Sequence, residues 1–460
     1  HLNEQNKPGL LVTVDYTQAF DSISKDFMLC AFEKFGFGPD FLQWVRILMS
    51  DAESCIQYCG WMSEFFKAES GIRQGCPFSP LAFILAVEIL AIKIKDVKDI
   101  KGIRTHVDEF VKITLYADDI TLFLSDENEM HIALDIISQF SVFSGLYMNK
   151  RKSEAMWLGS KKNCTDTFFD FVWKKQLKIL GVYFSNDKCA SMVAENWTNR
   201  LENVKRLIVV WEKRNLSIIG KICIVKTFLL SQFVYVMQAL VVPDKVLTEL
   251  NCLLFRFLWR KKDCNRRAFE KVKRTVVCNN FENGGLNMID VRQMQVSFLL
   301  QWVVRCCNAQ PHEKWSVLPT FLFSHLGLNN ACFHSNVKSS TLRGFEYVKS
   351  FFWRTVLKTW LDNNRHNTDD SVCTLLWNNA NVMYAGNVLF FPDWIAGGYM
   401  HVNDVTDLNG FYSYKDICAV LGNSPSRILE YTAVRAAVAR FIAKFSCNVA
   451  KGKAEDFPLF

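Results

Sequence analysis

A chain of 460 residues is too long for one ordinary hydrophobic core, so two or three domains are expected. Half of its residues are hydrophobic and 14% are aromatic, which excludes an intrinsically disordered chain. The formal net charge of +8 suits a polyanionic partner without requiring one, and none of the sixteen cysteines is spaced C-x-x-C, which argues against a zinc or dithiol framework.

The first apolar run predicts a strand from Leu10 to Val14 that ends at Asp15. Ser24 is placed to cap a helix running through Phe35 and closed by Gly36. A second amphipathic helix follows Pro39 and covers Phe41 to about Met49. The stretches CIQYC and EFFKAE, on either side of Gly60, predict a hairpin. SGIRQGCPFSP is a loop marked by glycine and proline, and it runs into LAFILAVEILAIKIK, a helix apolar nearly all round and so mostly buried. In LYADDITLFL the flanks alternate, with Ile113 and Leu115 before the acidic pair and Ile120, Leu122 and Leu124 after it. That reads as strand, turn, strand, with Asp118 and Asp119 at the turn. A helix from Glu127 to Ser144 is ended by Gly145, and LYMNKRKSEAMWLG and LKILGVYFS are short strand-like pieces. Together these make a mixed α/β domain over residues 1–187.

Beyond it the pattern turns helical, with candidates at Met192 to Arg214, Ile218 to Leu240, Lys245 to Arg260 and Val291 to Cys306, giving a second region over 188–310. The uncharged run Thr227 to Val242 is short for a bilayer and reads as a buried helix. Residues 311–460 are aromatic-rich and irregular, a weakly defined third region with helices at Phe351 to Leu361 and Glu430 to Phe445. No signal peptide is visible, so reduced thiols inside the cell are expected.

Two adjacent aspartates between apolar strands have an ordinary reading, since Asp favours turns. Two features weigh against it. The flanks are apolar enough for central strands, where an unpaired carboxylate is costly, and a third carboxylate, Asp15, also ends an apolar strand. Three carboxylates at strand ends repel one another unless a cation lies among them. Hard divalent ions with oxygen ligands fit that need, and a pair of them serves phosphoryl or nucleotidyl transfer.

At this point the residues resemble a known family. VDYTQAF, SGIRQGCPFSPLAFILAVEIL and YADD are similar to motifs A, B and C of reverse transcriptases, and G-x-R-Q-G-C-P-x-S-P-L to the non-LTR, LINE-type enzymes in particular. GLYMNKRKS resembles their motif D and LKILGVYFS their motif E, while later segments, including GGLNMIDVRQMQVSFLLQWV, are like those that follow the polymerase core. The resemblance implies an α+β palm with a mixed or antiparallel sheet, a mainly helical thumb and a C-terminal region. It implies RNA-directed DNA synthesis with an RNA template, a DNA primer and dNTPs, on two Mg²⁺ ions for which Mn²⁺ substitutes. It implies no membrane, and a cytoplasmic ribonucleoprotein that also enters the nucleus.

Carried over by motif, Asp15, Asp118 and Asp119 would be catalytic, with the Tyr16 carbonyl as a further metal ligand. Phe20 would be the gate against a 2′-hydroxyl, though an ordinary core aromatic also fits. Arg73, Gln74 and Gly75 would meet nucleotide and template. Tyr116 and Ala117 would floor the site near the primer end, and Lys152 would neutralise departing pyrophosphate unless it is only a solvated surface charge. From Phe255 to Arg274, nine Lys or Arg stand against two acids. Arg256, Arg260, Lys261, Lys262, Arg266 and Arg267 are the candidates for phosphate contact, while the interleaved Phe255, Phe257, Trp259 and Phe269 are expected mostly to face the core. The resemblance starts at motif A, so fingers, endonuclease and zinc knuckle lie outside it. The expectation is a piece of a longer polypeptide that polymerises poorly by itself. An inactive nucleic-acid-binding scaffold and a group II intron-type maturase stay open as alternatives.

Overall fold

The computed structural model describes residues 7–50, 52–105, 110–165, 167–186, 190–259, 270–310, 313–326, 339–363, 375–407 and 410–449. It divides into two compact units, His1–Asn199 and Arg200–Phe460.

The first unit is built on strand β1 (Pro8–Val14). Its run Leu10 to Val12 is apolar at consecutive positions because both faces of the strand are covered, as in an interior strand. Leu10, Val12 and Val14 join the main core, whereas Leu11 points the other way and packs with Met156 and Leu177. The main core is completed by helix α1 (Lys25–Lys34), helix α2 (Pro39–Met49) and the long helix α3 (Phe78–Asp96). As expected, Ser24 caps α1, accepting from the Phe27 N–H at 3.2 Å.

Strands β2 (Ile113–Tyr116) and β3 (Asp119–Leu124) form the foreseen hairpin. Helix α4 (Glu127–Ser144) follows, then β4 (Glu154–Gly159) and β5 (Val172–Trp173). The sheet order is β5-β4-β1-β3-β2, antiparallel except for the β4–β5 pair. A separate hairpin, β6 (Gln176–Ile179) and β7 (Val182–Ser185), brings Leu177 to the second face. The hairpin about Gly60 is also present, with Gln57–Tyr58 against Trp61–Met62. Cys59 and Gly60 sit at φ 48 and 86, the positive values a two-residue turn needs.

One buried carboxylate ties the elements after α3 together. Glu129, 3% exposed, accepts from the N–H groups of Lys101 (2.9 Å), Gly102 (3.1 Å) and Ser125 (2.9 Å) and from the Ser125 hydroxyl (2.6 Å). Glu129→Gln turns an amide donor toward that cluster of donors. It is expected to destabilise the unit by about 1–3 kcal/mol, read from urea unfolding.

The second unit is mainly helical, but two long helices expected from the sequence are interrupted. Met192 to Arg214 is a short helix, Ala190–Val193, then a π turn, Ala194–Thr198, then α5 (Asn199–Glu212). Ile218 to Leu240 is α6 (Ile218–Ile224), a π turn Val225–Leu229, and α7 (Ser231–Ala239), with the two arms bent by 47°. The cause is local: the Leu230 N–H reaches back five residues to the Val225 carbonyl (2.9 Å), and the Thr227 hydroxyl bonds the Cys223 carbonyl (2.7 Å). Among the described residues no single helix is long and apolar enough to cross a membrane. Phe233, Val236 and Met237 of the uncharged run are buried.

Helices α8 (Asp244–Trp259) and α9 (Val291–Asn308) match expectation. Past residue 311 the expected helices at Phe351 to Leu361 and Glu430 to Phe445 are present, and the described residues hold two longer helices that the sequence reading did not foresee. Helices α10 (Lys314–Ser324), α11 (Phe351–Asn363), α12 (Tyr414–Leu421) and α13 (Arg427–Val449) surround two apolar clusters. One contains Leu299, Phe323 and Trp353, the other Trp377, Trp394 and Val434. Pro319 inside α10 is what hides that helix from a pattern reading.

Candidate active site

The register of β1 against β3 decides where the carboxylates meet. Val14 lies opposite Ile120, so Asp15 continues the ladder toward Asp119, the first residue of β3. Tyr116 pairs with Asp119, and Ala117 and Asp118 form the two-residue loop between β2 and β3. Ala117 takes φ 52, a left-handed value that costs about 1 kcal/mol for a residue with a Cβ. Asp15 is half-buried, while Asp118 and Asp119 are exposed at this end of the sheet.

The three acids feel one another. Asp119 is held above the ordinary carboxylate value, first by partial burial of its carboxyl and then by the charges of Asp118 and Asp15. They are neighbours without closing into a tight ligand set, since among the described residues no group of three or more His, Cys, Asp or Glu is placed to hold a metal ion. The donors are nonetheless hard carboxylate oxygens with mutually repelling charges, which is the chemistry a divalent cation answers.

A carboxyl whose folded pKa is raised favours the fold when protonated, so its contribution is lost as pH rises from the ordinary 3.8 through the folded value. Asp119→Asn is therefore expected to raise the melting temperature at neutral pH in EDTA, and the gain should vanish in acid. Midpoints recorded across about pH 3–8 check it, and a loss of stability at neutral pH would contradict it.

The backbone after β1 is fastened to the segment that resembles motif D. The Asp15 N–H donates to the Ser153 hydroxyl (3.1 Å), the Asn149 N–H to the Asp15 carbonyl (2.7 Å) and the Thr17 N–H to the Tyr147 carbonyl (2.9 Å). Tyr16 and Met148 form the bridge between these bonds, so by antiparallel alternation the Tyr16 carbonyl faces away from Met148, to the side of the β2–β3 loop. The Tyr16 ring is buried, burial pushes its phenol far up, and its hydroxyl has no partner among the described residues. Sequence reasoning missed Ser153 and Asn149, because a Ser after a basic run carries no signal of its partner 138 positions away.

Phe20 lies on a short helix, Ala19–Ser22, half-buried and stacked on Phe83 of α3 at 4.6 Å. The motif B loop is strapped to that helix. The Ile72 N–H donates to the Phe20 carbonyl (2.8 Å), the Gly71 N–H to the Ile23 carbonyl (2.9 Å) and the Ser70 hydroxyl to the Asp21 carbonyl (2.9 Å). Arg73, Gln74 and Gly75 follow, all exposed. Gly75 takes φ 85 with open space where a Cβ would stand, which leaves its backbone approachable. A cleft of about 510 Å³ runs beneath, lined by Lys25, Met49, Arg73, Gln74 and Cys76 among others. The Cys76 thiol is held below its ordinary value, first by the Phe78 N–H at the start of α3.

Tyr116 is exposed beside the carboxylates. Lys152 is exposed on the turn after Asn149, and among the described residues no ion pair joins it to the triad. Of the basic run, Arg256 is exposed on α8, while Arg260, Lys261, Lys262, Arg266, Arg267 and Phe269 lie outside the described residues. Phe255 and Phe257 are buried, as expected of core aromatics. Arg274 is engaged by Glu270 and lies over the Phe255 ring at 4.8 Å.

Residues 1–184 match the family described as reverse transcriptase (RNA-dependent DNA polymerase). The transposon TX1 uncharacterized 149 kDa protein of Xenopus laevis is 25% identical over 359 residues, 76% of this chain and 26% of that protein. The Pol polyprotein of the type-2 retrotransposable element R2DM of Drosophila melanogaster is 24% identical over 167 residues, 36% of this chain and 15% of that protein. Among solved structures, apo telomerase from Candida tropicalis aligns with a TM-score of 0.32 at 12% identity, over 56% of this chain and 43% of that one. The chain thus spans about a quarter of the length of the TX1 protein and less of R2DM. Its first 184 residues are thus similar to the reverse transcriptase family, and the relatives that match are transposon and retrotransposon proteins.

Proposed function

We propose that the chain carries the nucleotidyl-transfer centre of an RNA-directed DNA polymerase of a non-LTR retrotransposon. The observation that carries this reading is the meeting of Asp15 with Asp118 and Asp119 at one end of the sheet, their charges coupled through Asp119. In this reading residues 1–187 are the palm, 188–310 the thumb and 311–460 a C-terminal region. The substrates are an RNA template, a DNA primer and dNTPs.

Asp15, Asp118, Asp119 and the Tyr16 carbonyl would hold two Mg²⁺. When bound, such ions lower the pKa of the primer 3′-hydroxyl and neutralise charge on the triphosphate. The chain's own residues then orient the reactants. Gln74 and Gly75 meet the nascent base pair from the strapped loop, Tyr116 supports the primer end, and Arg73 and Lys152 offer positive charge to phosphate. Phe20 limits room beside the sugar.

Uptake of Mn²⁺, followed by electron paramagnetic resonance with template–primer and dNTP present, tests the reading. Two bound ions per chain are expected, with loss of binding in Asp118→Asn. A parent chain that takes up none would refute it. A further prediction concerns Phe20→Val, which should relax discrimination against ribonucleotides by about 10²-fold in competitive incorporation. If Phe20 only packs on Phe83, the melting temperature falls and discrimination stays.

A further inference from the structure

Ser153 closes the segment that resembles motif D, and the resemblance gives it no role. It is buried, 1% exposed, at the point where β4 stops running beside β1. The antiparallel register of those strands holds from Pro8 opposite Gly159 to Thr13 opposite Glu154. Continued, it would set Lys152 opposite Asp15. The chain turns off instead, and the next pair across is Tyr16 with Met148. Residues 149–152 thus make a detour from the ladder, and such breaks in pairing re-aim the side chains beside them.

The detour grips the Asp15 backbone from both ends. The Asp15 N–H donates to the Ser153 oxygen at 3.1 Å, and the Asp15 carbonyl accepts from the Asn149 N–H at 2.7 Å. The Ser153 hydroxyl in turn donates to the Asn149 carbonyl at 2.9 Å, which also accepts from the Ser153 N–H at 2.9 Å. One turn therefore holds both polar backbone groups of Asp15. Inside a ladder the acceptor for an N–H is a backbone carbonyl, which any side chain supplies equally well. Here the acceptor is a hydroxyl, so the identity of one residue decides whether the Asp15 backbone stays fixed where the strand ends. Closing the turn would need only the bond to Asn149; the bond to Asp15 spans 138 positions and serves the strand end.

We propose that Ser153 is a positioning residue for metal binding: its hydroxyl fixes the Asp15 backbone so that the carboxylate is presented to a divalent cation shared with Asp118 and Asp119. The proposal rests on the polymerase reading, which makes Asp15 a metal ligand. Ser153 acts on the backbone of that ligand and not on the ion. Losing a group that orients a ligand costs about 10–100-fold in metal affinity, and a bond to the ligand's backbone belongs at the lower end of that range.

Uptake of Mn²⁺ by the full chain with template–primer and dNTP present, followed by electron paramagnetic resonance, tests the proposal. Ser153→Ala should bind Mn²⁺ about tenfold more weakly than the parent, and Ser153→Thr, which keeps the hydroxyl, should recover the parent affinity to within about twofold. Ser141→Ala removes another buried hydroxyl of the same unit, one that donates to the Ile137 carbonyl within α4 at 2.8 Å, and should leave the affinity unchanged. Parent affinity in Ser153→Ala, an equal loss in Ser141→Ala, or a folded Ser153→Thr as weak as Ser153→Ala would overturn the positioning role and leave the polymerase reading standing. A parent that takes up no ion would overturn both. Amide hydrogen exchange on the parent does not depend on variant folding. Mg²⁺, added with template–primer and dNTP, should slow exchange at Asp15 and Asn149 about fivefold more than at Gly102, whose N–H is held by Glu129. Equal slowing at all three would overturn the proposal.

Discussion

Replacing Asp118 by Asn is expected to lower nucleotide incorporation by about 10²–10³-fold or more, with the fold intact. The side chain sits exposed in the two-residue loop between β2 and β3, so the isosteric change touches no packing. Stability should move by no more than about 0.5 kcal/mol. In the proposed reading, the substitution removes one of three charges that would together balance divalent cations and a triphosphate. Single-turnover incorporation gives the size of the effect. A divalent-ion thermal shift gives a second readout, present in the parent and lost in the variant. A variant that keeps a tenth of the parent rate would show that Asp118 is only a turn residue.

Gly71→Ala is expected to cost about 2–4 kcal/mol of stability and to carry incorporation down with it. Gly71 holds φ +80, and a Cβ there would stand 2.6 Å from the Asp21 carbonyl oxygen. Neither the loop nor the short helix can retreat easily, because three hydrogen bonds join them within residues 70–72 and 20–23. The substitution must therefore break the strap that places Gln74 and Gly75 over the helix bearing Phe20. Urea unfolding measures the stability, and KM for dNTP is expected to rise before kcat falls. Gly75→Ala makes the comparison. It carries the same positive φ but meets nothing within 4 Å, so it should be milder in stability.

The elements easiest to foresee were those whose signals are local. Ser24, Gly36 and Gly145 end helices through their own caps or backbone angles, and the alternation around Asp118 and Asp119 needs only its own strands. The interrupted helices were harder. A π turn in α6–α7 depends on which carbonyl the Thr227 hydroxyl and Leu230 N–H select, and apolar periodicity is blind to that choice. Past residue 311 the aromatic spacing gave little warning that Trp377 and Trp394 share one core with Val434.

The linear chain alone determined the chemistry available at the site: three carboxylates at strand ends, a glycine-bearing loop and an aromatic after the first acid. The tertiary structure decided that β1 lies between β3 and β4, which carries Asp15 to Asp119 across about a hundred intervening residues and lets Ser153 secure its backbone. It also decided what each cation meets, Arg214 the Trp211 ring and Arg274 the Glu270 carboxylate. The reason is physical: charge and side-chain type are written residue by residue, whereas the partner a group finds depends on strand register and helix packing, which the whole core sets at once.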